Sequence, residues 1–440
     1  MSLAYSASPL KAFRGRIVHC LRDPGTGNDA AALEHFEDGL LVVEHGRVAR
    51  VGPAAELLPQ LAAGTPLEDH RGKLIVPGFI DTHIHYPQTD IIASYGEQLL
   101  TWLERYTFPT EGQFQDAAHA AEVAEFFLGE LLRNGTTSAL VLATVHPQSV
   151  DAIFAAAQAR GMRLIAGKVL MDRNCPEFLR DSAETGYTES KALIERWHGV
   201  ERLAYAITPR FAPTSSERQL ELAGQLGREH PDVYLHTHVA ENRAEVAWVA
   251  KLFPWSRSYL DVYDRFGLLR DRAVYAHCIH LDEQDRRRMA ESGAVAAFCP
   301  TSNLFLGSGL FDLEATRGLG VRVGLATDVG GGTSFSMIRT LAEAYKVEQL
   351  AGQALSPARA LYLATLGSAE ALYLEDRIGN FLPGKEADFV VLNPGPTPLM
   401  ARRMAHTHTL EEQLFALFTL GDDRNVAVTY VMGEAAYRAG

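Results

Sequence analysis

The histidines of this sequence fall at spacings that can gather imidazoles on one point. The run Asp81-Thr82-His83-Ile84-His85 closes an apolar stretch. In an extended strand, residues i and i+2 share a face, so His83 and His85 can reach the same spot. His236-Thr237-His238 repeats the spacing and leads into Val239-Ala240-Glu241. His277 and His280 follow, and Asp328 ends a last apolar run. Imidazole and carboxylate together form a ligand set for Zn²⁺ or Fe²⁺. A single His-x-His is a weak pattern, but the same chemistry at the ends of several strand-like runs is a specific one. An ion so held acidifies water at neutral pH, which makes hydrolysis the chemistry in view.

These side chains need elements to position them. Eight apolar, strand-like runs cover residues 74–85, 136–145, 163–171, 203–211, 233–241, 273–281, 294–302 and 321–329. Helical stretches separate them, among them AAHAAEVAEFFLGELLRNG and SVDAIFAAAQARG, which close at Gly135 and Gly161. Continuous apolar strands alternating with helices imply a parallel sheet covered on both faces. Eight such units fit an α/β fold of the (β/α)₈ TIM type. An open doubly wound sheet is the alternative. The polar residues favour the barrel, because they cluster at the C-terminal ends of many different strands. Glycine-broken runs near the start (FRGRIVHC, GLLVVEHGRVARVG, GKLIVPG) have the same texture as DFVVLNP and NVAVTYVMGEAAY near the end. The two ends are expected to complete one small β-sandwich-like module. The expected division is 1–75 with 384–440 for that module and 76–383 for the barrel.

The order PGFIDTHIH, HTHVAE, HCIH, ATD resembles the amidohydrolase superfamily, in its cytosine and guanine deaminase branch. The resemblance implies one divalent metal per chain, Zn²⁺ ahead of Fe²⁺, held by His83, His85, His238 and Asp328. It implies His277 beside the attacking water or the developing oxyanion, Glu241 as proton shuttle, and Asp328 as holder and proton acceptor of the nucleophile. Binuclear members of the superfamily use a carboxylated lysine at the end of the fourth strand. Here that strand ends Thr208-Pro209-Arg210-Phe211, and Lys168 lies on the third, which favours one metal.

Four further stretches are similar to the members of the branch that deaminate guanine. They are HYPQTDIIASYGEQLLTWLERYTFPTE, ITPRFAPTSS, FCPTSNLFLGSGLF and ATDVGGGTSFSM. GKEADFVVLNP resembles the family's closing module. By that similarity Gln88, Arg210 and the backbone of Phe211 would read a purine, guanine would lose its C2 amine to give xanthine and ammonia, and the protein would be a homodimer. An amide and a guanidinium suit a ring that presents a carbonyl and ring nitrogens. A site built to hydrogen-bond that carbonyl rejects analogues lacking it.

Other residues have plainer readings. His236 is expected to face away from His238 and to be structural, and His280 to begin a loop. His19, His35, His45 and His70 are expected at surface or satisfied positions. Trp102, Tyr106 and Phe108 could form an apolar lid over a flat ring, or simply pack their loop. Gly330-Gly331-Gly332 lacks the Lys-Ser/Thr of a phosphate loop and suits a sharp turn beside Asp328.

Bulk properties narrow the partners. The net charge of -13 and the absence of any basic block argue against nucleic acid or an anionic membrane. Cys20, Cys175, Cys278 and Cys299 are scattered, which suits reduced thiols in the cytoplasm. No apolar run is long enough for a transmembrane helix, and the first residues lack the apolar core of a leader. Three rival functions stay open: a hydrolase of another ring or amide on the same scaffold, an inactive scaffolding relative, and a purine-binding sensor. An inactive relative is expected to lose ligands, and a sensor would need neither Glu241 nor an activated water.

Overall fold

The computed structural model describes residues 10–95 and 98–440. Residues 1–9, part of the segment read for a leader, lie outside the described residues, as do Gly96 and Glu97 of the long motif that follows His85.

The chain opens with β1 (Leu10–Cys20), β2 (Leu33–Glu44), β3 (Arg47–Pro53) and β4 (Leu67–Pro77). Gly78 then carries it from one sheet into another. A Cβ at Gly78 would lie 2.2 Å from Thr137 Oγ1, so only glycine passes there. The run expected as one strand over 74–85 is therefore two, β4 in the first sheet and β5 (Phe79–His85) in the second.

The second sheet is the barrel. It continues with β6 (Thr136–Leu142), β7 (Arg163–Gly167), β8 (Val169–Leu170), β9 (Leu203–Pro209), β10 (Tyr234–Val239), β11 (Ala273–His277), β12 (Val295–Phe298) and β13 (Arg322–Leu325). The strands run parallel in the order β5-β6-β7-β9-β10-β11-β12-β13, with β8 on β9. The run expected over 163–171 breaks at Lys168, whose N–H donates to Tyr205 Oη at 3.1 Å instead of to the ladder. Two backbone bonds draw the ends of the sheet together. Asp328 N–H donates to His83 O at 3.0 Å, and His85 N–H donates to Val329 O at 2.8 Å. The eight-unit barrel expected from the alternation is thus the fold, and the open sheet is not.

Helices cover the barrel by ordinary amphipathic logic. Ala117–Arg133 starts under the Asp116 side chain and buries Ala120, Val123, Ala124, Phe127, Leu128 and Leu131 along one stripe. No helix among the described residues is long and apolar enough to cross a membrane.

The two chain ends form a separate sheet. β14 (Phe389–Leu392), β15 (Val426–Val431) and β16 (Glu434–Arg438) join the first four strands in the order β16-β15-β14-β4-β1-β2-β3, one hydrogen-bonded path. Phe13, Phe389 and Tyr430 pack at its centre with ring centroids 4.3 to 4.9 Å apart. A buried ion cluster ties this sheet to the barrel. Glu386 accepts from Arg163 Nε at 2.9 Å and from Arg202 Nη2 at 2.6 Å. Burial alone would raise the Glu386 carboxyl, but the two guanidinium groups hold it down at about 2.

Candidate functional site

Strand geometry builds the floor of the site. His83 and His85, two apart on β5, both turn into the barrel mouth, and so does His238 from β10. Asp328 enters just past β13. His83 Nε2 and His85 Nε2 lie 3.1 and 3.3 Å from Asp328 Oδ1. The two Nε2 atoms are 3.2 Å apart, and His238 Nε2 is 3.2 Å from His85 Nε2. Four-coordinate zinc bonds of about 2.0–2.2 Å set ligand atoms about 3.3–3.5 Å apart, so these donors fit a single tetrahedral ion. Their ionisation fits too. Burial, then the neighbouring His83, holds the His85 imidazole down at about 3, and burial holds His238 well below its usual value. The rings therefore present lone pairs at neutral pH. Burial alone would raise the Asp328 carboxyl, but the surrounding histidines hold it well below the usual range.

Second contacts aim these rings. His238 Nδ1 donates to the Arg210 carbonyl at 2.6 Å, which leaves Nε2 for the centre. His83 Nδ1 meets His236 Nε2 at 2.6 Å. The expectation that His236 faces away from His238 is corrected here. A period of two puts both on one face, and His236, fully buried, supports His83 from below. Such partners fix ring orientation and donor strength. Lys168 is not part of the floor; it pairs with Asp181 and, at 3.4 Å, Glu189. His280 Nε2 donates to the Ser308 carbonyl at 3.1 Å, at the start of a loop as expected.

Two groups stand over the floor. His277 at the end of β11 donates from Nδ1 to Asn303 Oδ1 at 2.9 Å. Its Nε2 is turned inward, 3.4 Å from Glu241 Oε2 and 3.8 Å from Asp328 Oδ2. Glu241, two residues past β10, accepts from Ser308 Oγ at 2.8 Å. Burial, then the Asp328 charge, pushes the Glu241 carboxyl up to about 8. His277 and Asp328 have φ of 73° and 53°, a backbone region side chains avoid. Strain of that kind costs on the order of 1–3 kcal/mol and concentrates at functional sites.

The connection after β5 makes the other wall. Its short helical turns place Leu99, Trp102 and Leu103 over a cavity. Gln88, Arg210, Phe211, His238, Glu241, His277 and Asp328 also line it. Trp102 thus covers the cavity. Tyr106 packs in the loop cluster, and the Phe108 ring lies 5.5 Å from the Arg210 guanidinium carbon. Gln88 Oε1 accepts from Gly330 N–H at 3.2 Å, and its Nε2 lies 3.1 Å from His85 Nδ1. The glycine run beside Asp328 is needed for closeness, since a Cβ at Gly332 would lie 1.8 Å from Thr327 O.

Of the residues singled out for metal, proton transfer or substrate, all but His83 line this one cavity, and His83 lies directly against His85 and Asp328. The structure also adds Glu111, Asn303, Ser308 and Glu245, which spacing did not reveal. Glu111 bonds both Gln88 and Arg210. Glu245 closes a capping box with Asn242, and burial, then Glu241, raises its carboxyl to about 7. The Asn303 and Ser308 positions fall inside FCPTSNLFLGSGLF, and that motif was the one signal available for them.

Comparison with known proteins gives a consistent picture. Residues 74–436 match the amidohydrolase family. A guanine deaminase of Escherichia coli K12 is 53% identical over 429 residues, 97% of this chain and 98% of that protein. The solved structure of E. coli guanine deaminase superposes with a TM-score of 0.96, covering 98% of this chain and all (100%) of that one. A guanine deaminase from C. acetobutylicum, solved with guanine bound in its active site, superposes with a TM-score of 0.88 at 29% identity, over 97% of this chain and 100% of that one.

Proposed function

From the premise that this chain belongs to the amidohydrolase family, we propose that it hydrolyses guanine to xanthine and ammonia. One observation carries the reading. Three metal-type donors (His85, His238 and Asp328, with His83 against them), a protonatable Glu241 and the pair Gln88 and Arg210 line one cavity, in a chain alike over nearly its whole length to an enzyme of that activity.

His83, His85, His238 and Asp328 would hold one divalent ion, Zn²⁺ by preference and Fe²⁺ as the alternative. When bound, such an ion supplies a Lewis acid that lowers the pKa of water from about 15.7 to about 7.

The chain's own groups do the rest. Gln88, Arg210 and the Phe211 backbone hold the purine by its carbonyl and ring nitrogens. Glu241, protonated at neutral pH, gives its proton to ring N3 and so makes C2 electrophilic. Water adds to C2 while Asp328 holds it and accepts a proton. His277 Nε2, aimed inward by Asn303, stands beside the oxygen as the tetrahedral centre forms. Of the two protons that water brings, one leaves on ammonia and one restores Glu241. N3 keeps the proton Glu241 gave.

The division into a module of 1–75 with 384–440 and a barrel of 76–383 is part of the same proposal, supported by all the site residues falling in the second part. A cytoplasmic homodimer fits the free Cys20, Cys175, Cys278 and Cys299 and the relatives' branch. Sedimentation of the metal-loaded protein tests the dimer.

The decisive assay is ammonia release with ultraviolet spectra from metal-analysed protein given guanine, adenine, cytosine and a triazine in parallel. The reading expects fast turnover of guanine alone. Turnover of another ring in its place would keep the hydrolytic site and overturn the assignment of Gln88 and Arg210.

A further inference from the structure

Glu111 sits in the short helix Phe108–Gly112 of the connection after β5, and it is fully buried. Its Oε2 accepts from Arg210 Nη1 at 2.7 Å, and its Oε1 accepts from Gln88 Nε2 at 3.0 Å. Gln88 is pinned at its other end by Gly330 N–H, and Phe108 covers one side of the guanidinium. Gln88 and Arg210 line the cavity, whereas Glu111 touches both without lining it.

The charge matters more here than the hydrogen bonds. A guanidinium stays charged. Alone and buried in the pocket wall, where the local dielectric is low, Arg210 would favour an anionic guest. Guanine is a neutral ring. Its deamination product carries an N–H between two carbonyls where the substrate had an amidine, and such an imide loses its proton more readily. An uncompensated Arg210 would therefore hold the product harder than the substrate. With the Glu111 carboxylate in contact, the pair sums to zero, while Arg210 still lines the cavity.

We propose that Glu111 is a positioning residue that fixes Gln88 and Arg210 and cancels the guanidinium charge, so that the pocket takes a neutral aminated purine and releases the more acidic dioxo product. The proposal rests on the reading of guanine deamination. The other titratable groups of the cavity (His85, His238, Glu241, Glu245, His277 and Asp328) are common to every variant compared below.

The test is xanthine binding to the metal-loaded enzyme, by calorimetry and by inhibition, from about pH 6 to about pH 9. Wild type and Glu111→Asp keep the charge pair, and their affinities for xanthine stay within about threefold of each other across that range, on the one profile that the cavity's other groups set. Glu111→Gln binds xanthine about tenfold or more tightly than wild type at the alkaline end, and its KM for guanine rises because Gln88 has lost an anchor. Glu111→Gln/Arg210→Gln returns to the wild-type profile. A wild-type profile for Glu111→Gln itself overturns the proposal. Should that variant not fold, Arg210→Gln leaves the carboxylate uncancelled, and xanthine then binds about tenfold or more weakly than to wild type at the alkaline end. A wild-type profile there overturns the proposal equally. Failure of the underlying reading shows separately, as wild-type protein that does not turn over guanine.

Discussion

The two ends of the cavity are built from different material. The floor comes from the ends of β5, β10 and β13, where the barrel ladder holds the donor atoms of His83, His85, His238 and Asp328 at spacings of 3.1 to 3.3 Å. The wall comes from the connection after β5, where short helical turns bring Trp102 and Glu111 against Gln88 and Arg210. In the proposed reading the floor supplies generic hydrolytic chemistry, and the wall decides which ring is presented to it. Rigid strand ends suit a task that needs fixed distances, and loops suit one that varies between substrates. The difference makes the two ends separable by measurement. Damage to the floor should appear in metal binding or kcat, and damage to the wall in KM.

The largest expected effect is at the proton carrier. Glu241→Gln lowers kcat by about 10²–10⁴-fold and leaves metal content unchanged, as elemental analysis of the purified variant will show. Glu241 also dictates a pH limb. Its carboxyl is raised to about 8, so the protonated form dominates below that value and is lost above it. The rate limited by proton delivery therefore falls as pH rises through about 8, and the residual rate of Glu241→Gln lacks that limb.

At the wall, Arg210→Lys loses the fork that meets both Glu111 and the ring. A hydrogen bond to a charged group contributes about 1.5–3 kcal/mol, so KM for guanine rises about 10–100-fold while kcat falls less. A kcat loss with unchanged KM would break the division drawn here. Beneath the floor, His236→Asn removes the partner of His83 Nδ1 and weakens metal binding by about 10–100-fold, read by competition with a chelator.

The smallest effect on turnover is expected far from both ends. Glu386→Gln leaves Arg163 without its buried carboxylate and Arg202 with Asp388 alone, and costs about 3–5 kcal/mol of stability, with KM unchanged. The Glu386 carboxyl is lowered in the fold from its usual 4.5 to about 2. Its contribution is therefore full above about pH 4.5 and is lost as pH falls towards 2. Acid melting of wild type and variant should converge in that window.

This contrast also explains what could be read from the sequence. The floor was legible because strand periodicity is local: His83 and His85 share a face whatever surrounds them. The same rule, misapplied, turned His236 away from His238, when residues two apart must agree. The wall was not legible from spacing. Glu111 and Arg210 are far apart in the chain and meet only when the connection folds back over the barrel, so no local pattern marks Glu111 as a partner. Motif resemblance pointed to Gln88 and Arg210 but not to what holds them. Strand ends were overestimated for a related reason. The apolar runs over 273–281 and 321–329 continue past β11 and β13 because their last residues are buried outside the ladder, Cys278, Leu281 and Val329 in the hydrophobic core and Asp328 in the site.

The most direct test of the account is titration of Zn²⁺ or Fe²⁺ into metal-stripped protein, with bound metal and guanine turnover measured on the same samples. The account predicts that turnover rises in step with bound metal and levels off at about one ion per chain. Turnover that survives complete stripping, or that needs a second ion to appear, would contradict it.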